Sequence, residues 1–139
     1  MVEQTCECRA DSVLVFPCSG GSNVGQIANA VGVELTRQGK ARMYCLAGMG
    51  AHISGMVNSA AGADYRIALD GCPVACARKT LENAGLQVEK AVVITDIGIP
   101  KNHEFEWSYD ERDQVMEATI SGIPIMVGAE GCGCGCEGK

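Results

Sequence analysis

A doubly wound α/β fold, three layers deep, is what this chain of 139 residues predicts, and three observations predict it. Short apolar runs of four to six residues recur along the chain, stretches with helical spacing separate them, and glycine-rich turns punctuate both. Apolar strands alternating with helices imply right-handed βαβ units and a mostly parallel sheet. The expectation is a Rossmann-like or flavodoxin-like domain with about five strands.

The elements follow in order. Residues 12–17 (SVLVFP) form a buried apolar run and so a strand. SGGSNVG is a turn, and residues 26–37 carry Ile27, Ala30, Val31 and Leu35 at helical spacing, closed by Gly39. Residues 42–46 (RMYCL) read as a second strand, AGMGAHISG as a loop, and 53–61 as a short helix. Residues 65–69 (YRIAL) are a third strand. The stretch 73–84 predicts a helix with Pro73 at its first position and Gly85 after its end. Residues 91–95 (AVVIT) are a fourth strand, 110–120 a helix, and 123–127 (IPIMV) a last strand. The polar, aromatic segment 101–109 has no readable element.

A chain this long favours one domain and buries roughly two-thirds of its unfolded surface. The expected division is a Cys-containing segment 1–11, a single α/β domain 12–130, and a Gly/Cys-rich tail 131–139. Aromatic residues make up 4% and hydrophobic residues 47%, so the core is aliphatic and Ala/Gly-rich. A formal net charge of −6 argues against nucleic acid, whose affinity comes from basic footprints, and against anionic membranes. The start MVEQTCECRADS has no apolar core of a leader peptide, and no run reaches membrane-spanning length. A cytoplasmic protein is expected, in which nine cysteines read as metal ligands or reactive thiols rather than disulfides.

The cysteines fall at particular places. Cys18 follows the first strand, Cys45 lies at the end of the second, Cys72 comes just after the third, and Cys76 follows one helical turn later. The carboxyl ends of parallel strands share one edge, where open α/β sheets carry their ligand sites. Four thiolates at one place suit tetrahedral Zn²⁺, or equally an iron–sulfur cluster. A cysteine inside the apolar strand 42–46 also reads as a small core hydrophobe. With Cys72 as N-cap, Pro73 at N1 and Cys76 near N4, both thiols would lie at the positive end of a helix dipole.

The stretch DGCPVAC (residues 70–76) permits other readings. A thioredoxin-like pair needs C-x-x-C, and three residues intervene here. Cys72 and Arg78 match the bare spacing of a phosphate-binding nucleophile loop, but PVACA contains proline and no glycine, a poor cradle of N–H donors. The loop 19–26 has Walker A glycine spacing at Gly20 and Gly25 without its lysine, because Gln26 stands there. Gly20, Gly21 and the following helix N-terminus could form an anion nest, but the glycines read better as places where backbone passes close to a metal and its ligands. His52 shares the carboxyl edge as a candidate ligand, base or donor to a thiolate, and also reads as a solvated loop histidine. His103 carries no signal; Asp70 and Asp96, both at strand ends, read first as capping residues and second as catalytic carboxylates.

Three motifs in order, PCSGGSNVGQ (17–26), CLAGMGAHISGM (45–56) and LDGCPVACARKTLE (69–82), resemble the DGC-domain family. The resemblance runs from about Val13 to Val127. These proteins are expected to bind zinc and are named for the central Asp-Gly-Cys. The resemblance implies zinc-chelating cysteines at Cys18, Cys45, Cys72 and Cys76, and implies no particular reaction. The domain 12–130 is then of DGC type.

Outside that match lie Cys6, Cys8 and the tail thiols Cys132, Cys134 and Cys136. GCGCGC can chelate soft cations such as Zn²⁺ or Cu⁺, and reads either as a metal relay to the internal site or as a tail with adventitious affinity. The expected function is metal binding, handling or sensing through four thiolates, more readily than enzymatic work, since a closed site lacks an open coordination position. The alternatives are a thiol enzyme using Cys72 or Cys18 with His52 as base, and an iron–sulfur protein.

Overall fold

The computed structural model describes residues 12–123. The expected strand 123–127, the segment 1–11 and the tail 131–139 therefore lie outside the described residues, apart from Ile123, which is in no strand.

Strand β1 (Val13–Pro17) is buried along its whole length. Val13 and Val15 belong to one core and Leu14 and Phe16 to another, because successive strand side chains point to opposite faces. Strand β3 (Tyr65–Asp70) does the same, with Ile67 and Leu69 on the first face and Ala68 on the second. Helices α1 (Asn23–Arg37) and α5 (Tyr109–Ile120) cover the first face with Ile27, Val31, Leu35 and Val115. Helices α2 (Leu46–Gly50), α3 (Ser54–Ala61) and α4 (Cys76–Asn83) cover the second with Met49, Ala60, Ala77 and Leu81. The result is the expected three-layer α/β arrangement.

Strands β2 (Arg42–Met43) and β4 (Lys90–Val93) complete a parallel sheet, ordered β2-β1-β3-β4 among the described residues. The chain steps outward from β1 to β2, crosses back over β1 to β3, and continues to β4. The reversal lies between β1 and β3, the switch point beside which doubly wound sheets place their ligands.

Several boundaries depart from expectation for local reasons. Helix α1 starts three residues earlier than its apolar spacing suggests, because the Ser22 side chain caps it by accepting the N–H of Gly25 at 3.1 Å. The second strand is shorter than 42–46: after Tyr44 donates its N–H to Val15, Cys45 becomes the N-cap of α2 instead of a strand residue. The loop 47–55 thus holds a short helix. The fourth strand stops at Val93 and passes into a 3₁₀ turn, Ile94–Ile97, whose Thr95 N–H reaches the carbonyl of Gly71 at 3.3 Å.

The largest correction concerns the third crossover. Helix α4 begins at Cys76, not Pro73, so Cys72 is not its N-cap and Cys76 is its first residue. Ala75 stands before it at φ 57°, a left-handed backbone that interrupts helix growth from the proline. The preceding turn closes on itself through Ala75 N–H and the Cys72 carbonyl, 3.1 Å apart.

Candidate functional site

The loops at the carboxyl edge are built around close backbone contact. Gly71 lies so near the first turn of α1 that a Cβ there would stand 2.9 Å from Gly25 N and 3.0 Å from Val24 C. Gly25 in turn faces Gly20, where a Cβ would meet backbone atoms at 2.6–2.9 Å. The glycines of SGGSNVG and of Asp-Gly-Cys therefore allow the turn after β3 to rest on the turn after β1. The close approach is thus of backbone to backbone, where the expectation was of backbone to a metal and its ligands.

That contact presents Cys18 and Cys72 at the switch point. Cys18 extends β1, donating its backbone N–H to Leu69 O at 2.8 Å. Its half-buried sulfur faces the backbone N–H groups of Gly20 and Gly71. Burial pushes the Cys18 thiol above its ordinary pKa, those two N–H groups pull it down, and the nearby charges of Asp70 and Cys76 push it up.

The other two sulfurs have partners of their own. The Cys45 sulfur is exposed and accepts the N–H of Gly48 at 3.4 Å, as an N-cap does. Cys72 is half-buried, and the Lys101 ammonium stands 3.6 Å from its sulfur. Cys76 is exposed on the first turn of α4. Three loops and a helix start thus carry all four cysteines to the carboxyl edge. Among the described residues, however, no three or more His, Cys, Asp or Glu side chains are grouped as a site for a metal ion.

Asp70, at the end of β3, turns its buried carboxylate onto α4 and accepts the N–H of Ala77 at 2.6 Å and of Arg78 at 3.1 Å. It supplies the cap that Ala75 cannot, the role its position suggested. Desolvation pushes its carboxyl above the ordinary value, against the pull of these N–H groups and of the positive charges of Arg78 and Lys79. Arg78 also pairs with Glu82 at 3.6 Å along the exposed face of the helix. His52 has its Nε2 3.4 Å from Asn83 Nδ2, so it contacts α4 rather than a thiol. Asp96 is the exposed residue of the 3₁₀ turn.

The segment 101–109, unplaced by sequence, meets the turn after β1 at the same edge and runs into α5 at Tyr109. His103 Nδ1 stands 3.0 Å from Gly21 O, and Asn23 holds the backbone of Pro100 and Asn102. Nothing in the local pattern marks Lys101, because its partner is 29 residues away in sequence. The signal available was position: it follows the last described strand on the ligand-bearing edge.

Non-glycine residues with positive φ occur at His52, Ala75 and Phe105, in the loops after β2, β3 and β4. Each marks an exposed apolar side chain: Ile53 beside His52, Val74 beside Ala75, and Phe105 itself. Strain of this kind collects where structure is held for a purpose other than packing.

No helix among the described residues is long and apolar enough to cross a membrane. No solved structure matches the chain. It is similar to the anaerobic and virulence modulator AnvM of Pseudomonas aeruginosa, with 34% identity over 90 residues, covering 65% of this chain and 69% of AnvM. Residues 14–119 match the DGC domain, a span that takes in β1 through nearly all of α5 and includes Cys18, Cys45, Cys72 and Cys76. The chain therefore belongs to the DGC-domain family.

Proposed function

We propose that this protein binds zinc through the thiolates of Cys18, Cys45, Cys72 and Cys76 and serves in metal handling or sensing. The observation that carries this reading is the delivery of all four cysteines to the carboxyl edge, by the ends of β1, β2 and β3 and the start of α4. The donor chemistry fits: soft sulfur is what Zn²⁺ takes in closed tetrahedral sites. Backbone N–H groups of Gly20 and Gly71 face Cys18, that of Gly48 faces Cys45, and an ammonium faces Cys72. Such donors stabilise metal-held thiolates. Metal binding would have to draw the four sulfurs together, and Cys45 and Cys76 are exposed.

A bound zinc in this setting would hold the turns after β1, β2 and β3 together. The tail thiols Cys132, Cys134 and Cys136 add a second store of soft ligands for zinc or another thiophilic metal. The name of AnvM speaks of modulation, which agrees with sensing better than with turnover. Small metal ions are the proposed partners, in the cytoplasm, with no nucleic acid and no membrane engaged by so acidic a chain.

Metal analysis of protein purified without added metal tests this: one zinc per chain is expected, and Cys45→Ser should lower it. A stoichiometry unchanged in that variant would sink the four-ligand site. Deleting residues 131–139 should slow zinc transfer to a chelator if the tail relays metal; an unchanged rate removes the relay.

One observation favours a second reading. An ammonium 3.6 Å from the Cys72 sulfur also suits a nucleophilic or redox thiolate. Metal-free protein with one thiol that alkylates far faster than the rest would select that reading. A brown protein with visible absorption would select an iron–sulfur centre.

A further inference from the structure

The geometry points to Lys101 as the charge partner of the cysteine site, and to Asn23 as the residue that positions it. This rests on the zinc reading above and deepens it. Asn23 is the first residue of α1 and is only 4% exposed. Its Nδ2 donates to Pro100 O at 2.9 Å, its Oδ1 accepts the N–H of Asn102 at 2.7 Å, and its own backbone N–H donates to Asn102 O at 3.1 Å. Pro100 and Asn102 flank Lys101, so the main chain on both sides of the lysine is fixed to the helix that begins just after the Cys18 turn. The Asn102 side chain accepts the N–H of Glu104 at 3.0 Å, and His103 meets Gly21 O, which pins the strap further along.

The lysine held this way has one hydrogen-bond acceptor among the described residues, the sulfur of Cys72. An exposed lysine ordinarily keeps its ammonium in water, because holding a long side chain in one geometry costs rotamer freedom. Here the backbone has already been fixed by a buried amide with no other evident task. Four thiolates around a divalent ion carry a net charge of −2. An ammonium beside one of them offsets part of that charge, and its N–H···S bond withdraws electron density from the sulfur. Groups that hydrogen-bond to ligands alter metal affinity by roughly 10–100-fold. Because Lys101 is exposed, the low end of that range applies.

The test uses the full-length protein loaded with Zn²⁺ or with Co²⁺ as a spectroscopic probe, comparing wild type with Lys101→Met, Lys101→Arg, Asn23→Asp and the Lys101→Met/Asn23→Asp pair. Lys101→Met should release zinc to a chelator roughly 10-fold faster. It should also move the thiolate-to-cobalt charge-transfer band to longer wavelength, because the sulfur regains electron density. Lys101→Arg should restore much of both. Asn23→Asp removes the Nδ2 donor and should reproduce the Lys101→Met effect in part, while the double variant should be no faster than Lys101→Met alone. A Lys101→Met protein that binds one metal with the wild-type rate and band overturns the inference and leaves the zinc reading standing. Additive effects in the double variant overturn the role of Asn23. A wild type that takes up neither metal overturns the zinc reading itself. The Lys101 variants keep the test decisive if Asn23→Asp does not fold, since Lys101 lies on the surface.

Discussion

The Asp70 carboxylate accepts the backbone N–H of Ala77 at 2.6 Å, joining the last residue of β3 to the second residue of α4 across the turn that carries Cys72. A second bond, from the N–H of Arg78 at 3.1 Å, completes the cap. The acid of Asp-Gly-Cys therefore fixes the entry to the helix on which Cys76 sits, and the glycine lets the turn approach α1.

Removing this cap should be costly. Asp70→Ala leaves two helix N–H groups without a partner in a buried place, and about 2 kcal/mol of stability should be lost. Asp70→Asn should lose nearly as much, since its amide can offer only one acceptor oxygen to two donors. Urea unfolding of both variants checks this; a loss below about 0.5 kcal/mol for Asp70→Ala would show that the cap is dispensable.

Glycine substitutions should divide sharply. Gly25→Ala and Gly71→Ala place a Cβ within 2.6–3.0 Å of main-chain atoms, which cannot swing aside as a side chain can. About 3 kcal/mol of destabilisation is expected for each. Gly55→Ala meets nothing within 4 Å and lies in the first turn of α3. It should stabilise by about 0.5–1 kcal/mol through the lower entropy of the unfolded chain. Melting temperatures of the three variants should therefore move in opposite directions.

Arg66, which is buried, pairs with the half-buried Glu89 at 2.7 Å. The guanidinium also donates to the carbonyls of Ala60, Ala61, Ala63 and Gln87, closing the end of α3 and tying it to the segment before β4. Glu89→Ala strands that cation and should cost roughly 3 kcal/mol. Replacing both residues by apolar ones of similar size should cost less than Glu89→Ala alone; chemical denaturation of the single and double variants makes the comparison.

Lys90 provides a pH signature. Its ammonium donates to Ala118 O at 2.8 Å and Ser121 O at 2.6 Å, at the end of α5, and desolvation lowers its pKa below the ordinary 10.5. The unfolded chain then holds this proton to higher pH than the folded chain. Stability from this group is full above 10.5, and is lost as pH falls through the lowered folded value. The stability of wild type relative to Lys90→Met should accordingly rise with pH as 10.5 is approached. Urea midpoints measured from neutral to alkaline pH provide the check, and a flat or falling difference would contradict the assigned cause.

Much of the site was legible from spacing alone. Cys18 and Cys72 follow apolar runs that could only be parallel strands, so their common edge followed from topology. The fold class, its layers and the capping use of Asp70 came from the same reasoning. A local rule, proline at the first helical position, predicts a helix from Pro73, but the left-handed Ala75 and a cap supplied from the preceding strand set its start at Cys76. Cys45 reads as a strand residue because MYCL is apolar after Arg42, whereas its sulfur caps the next helix.

By itself, then, the order of apolar runs, helical spacings and glycines determined a parallel α/β sheet with cysteines at one edge. Those signals are local and periodic, and burial of an alternating strand leaves few arrangements open. The tertiary structure alone decided how the loops on that edge meet. The bonds from Asn23 to Pro100 and Asn102 span 77 and 79 residues, and the contact from Lys101 to Cys72 spans 29. Hydrogen bonds of that range leave no periodic trace in a sequence; they exist only once the sheet has brought its strand ends together.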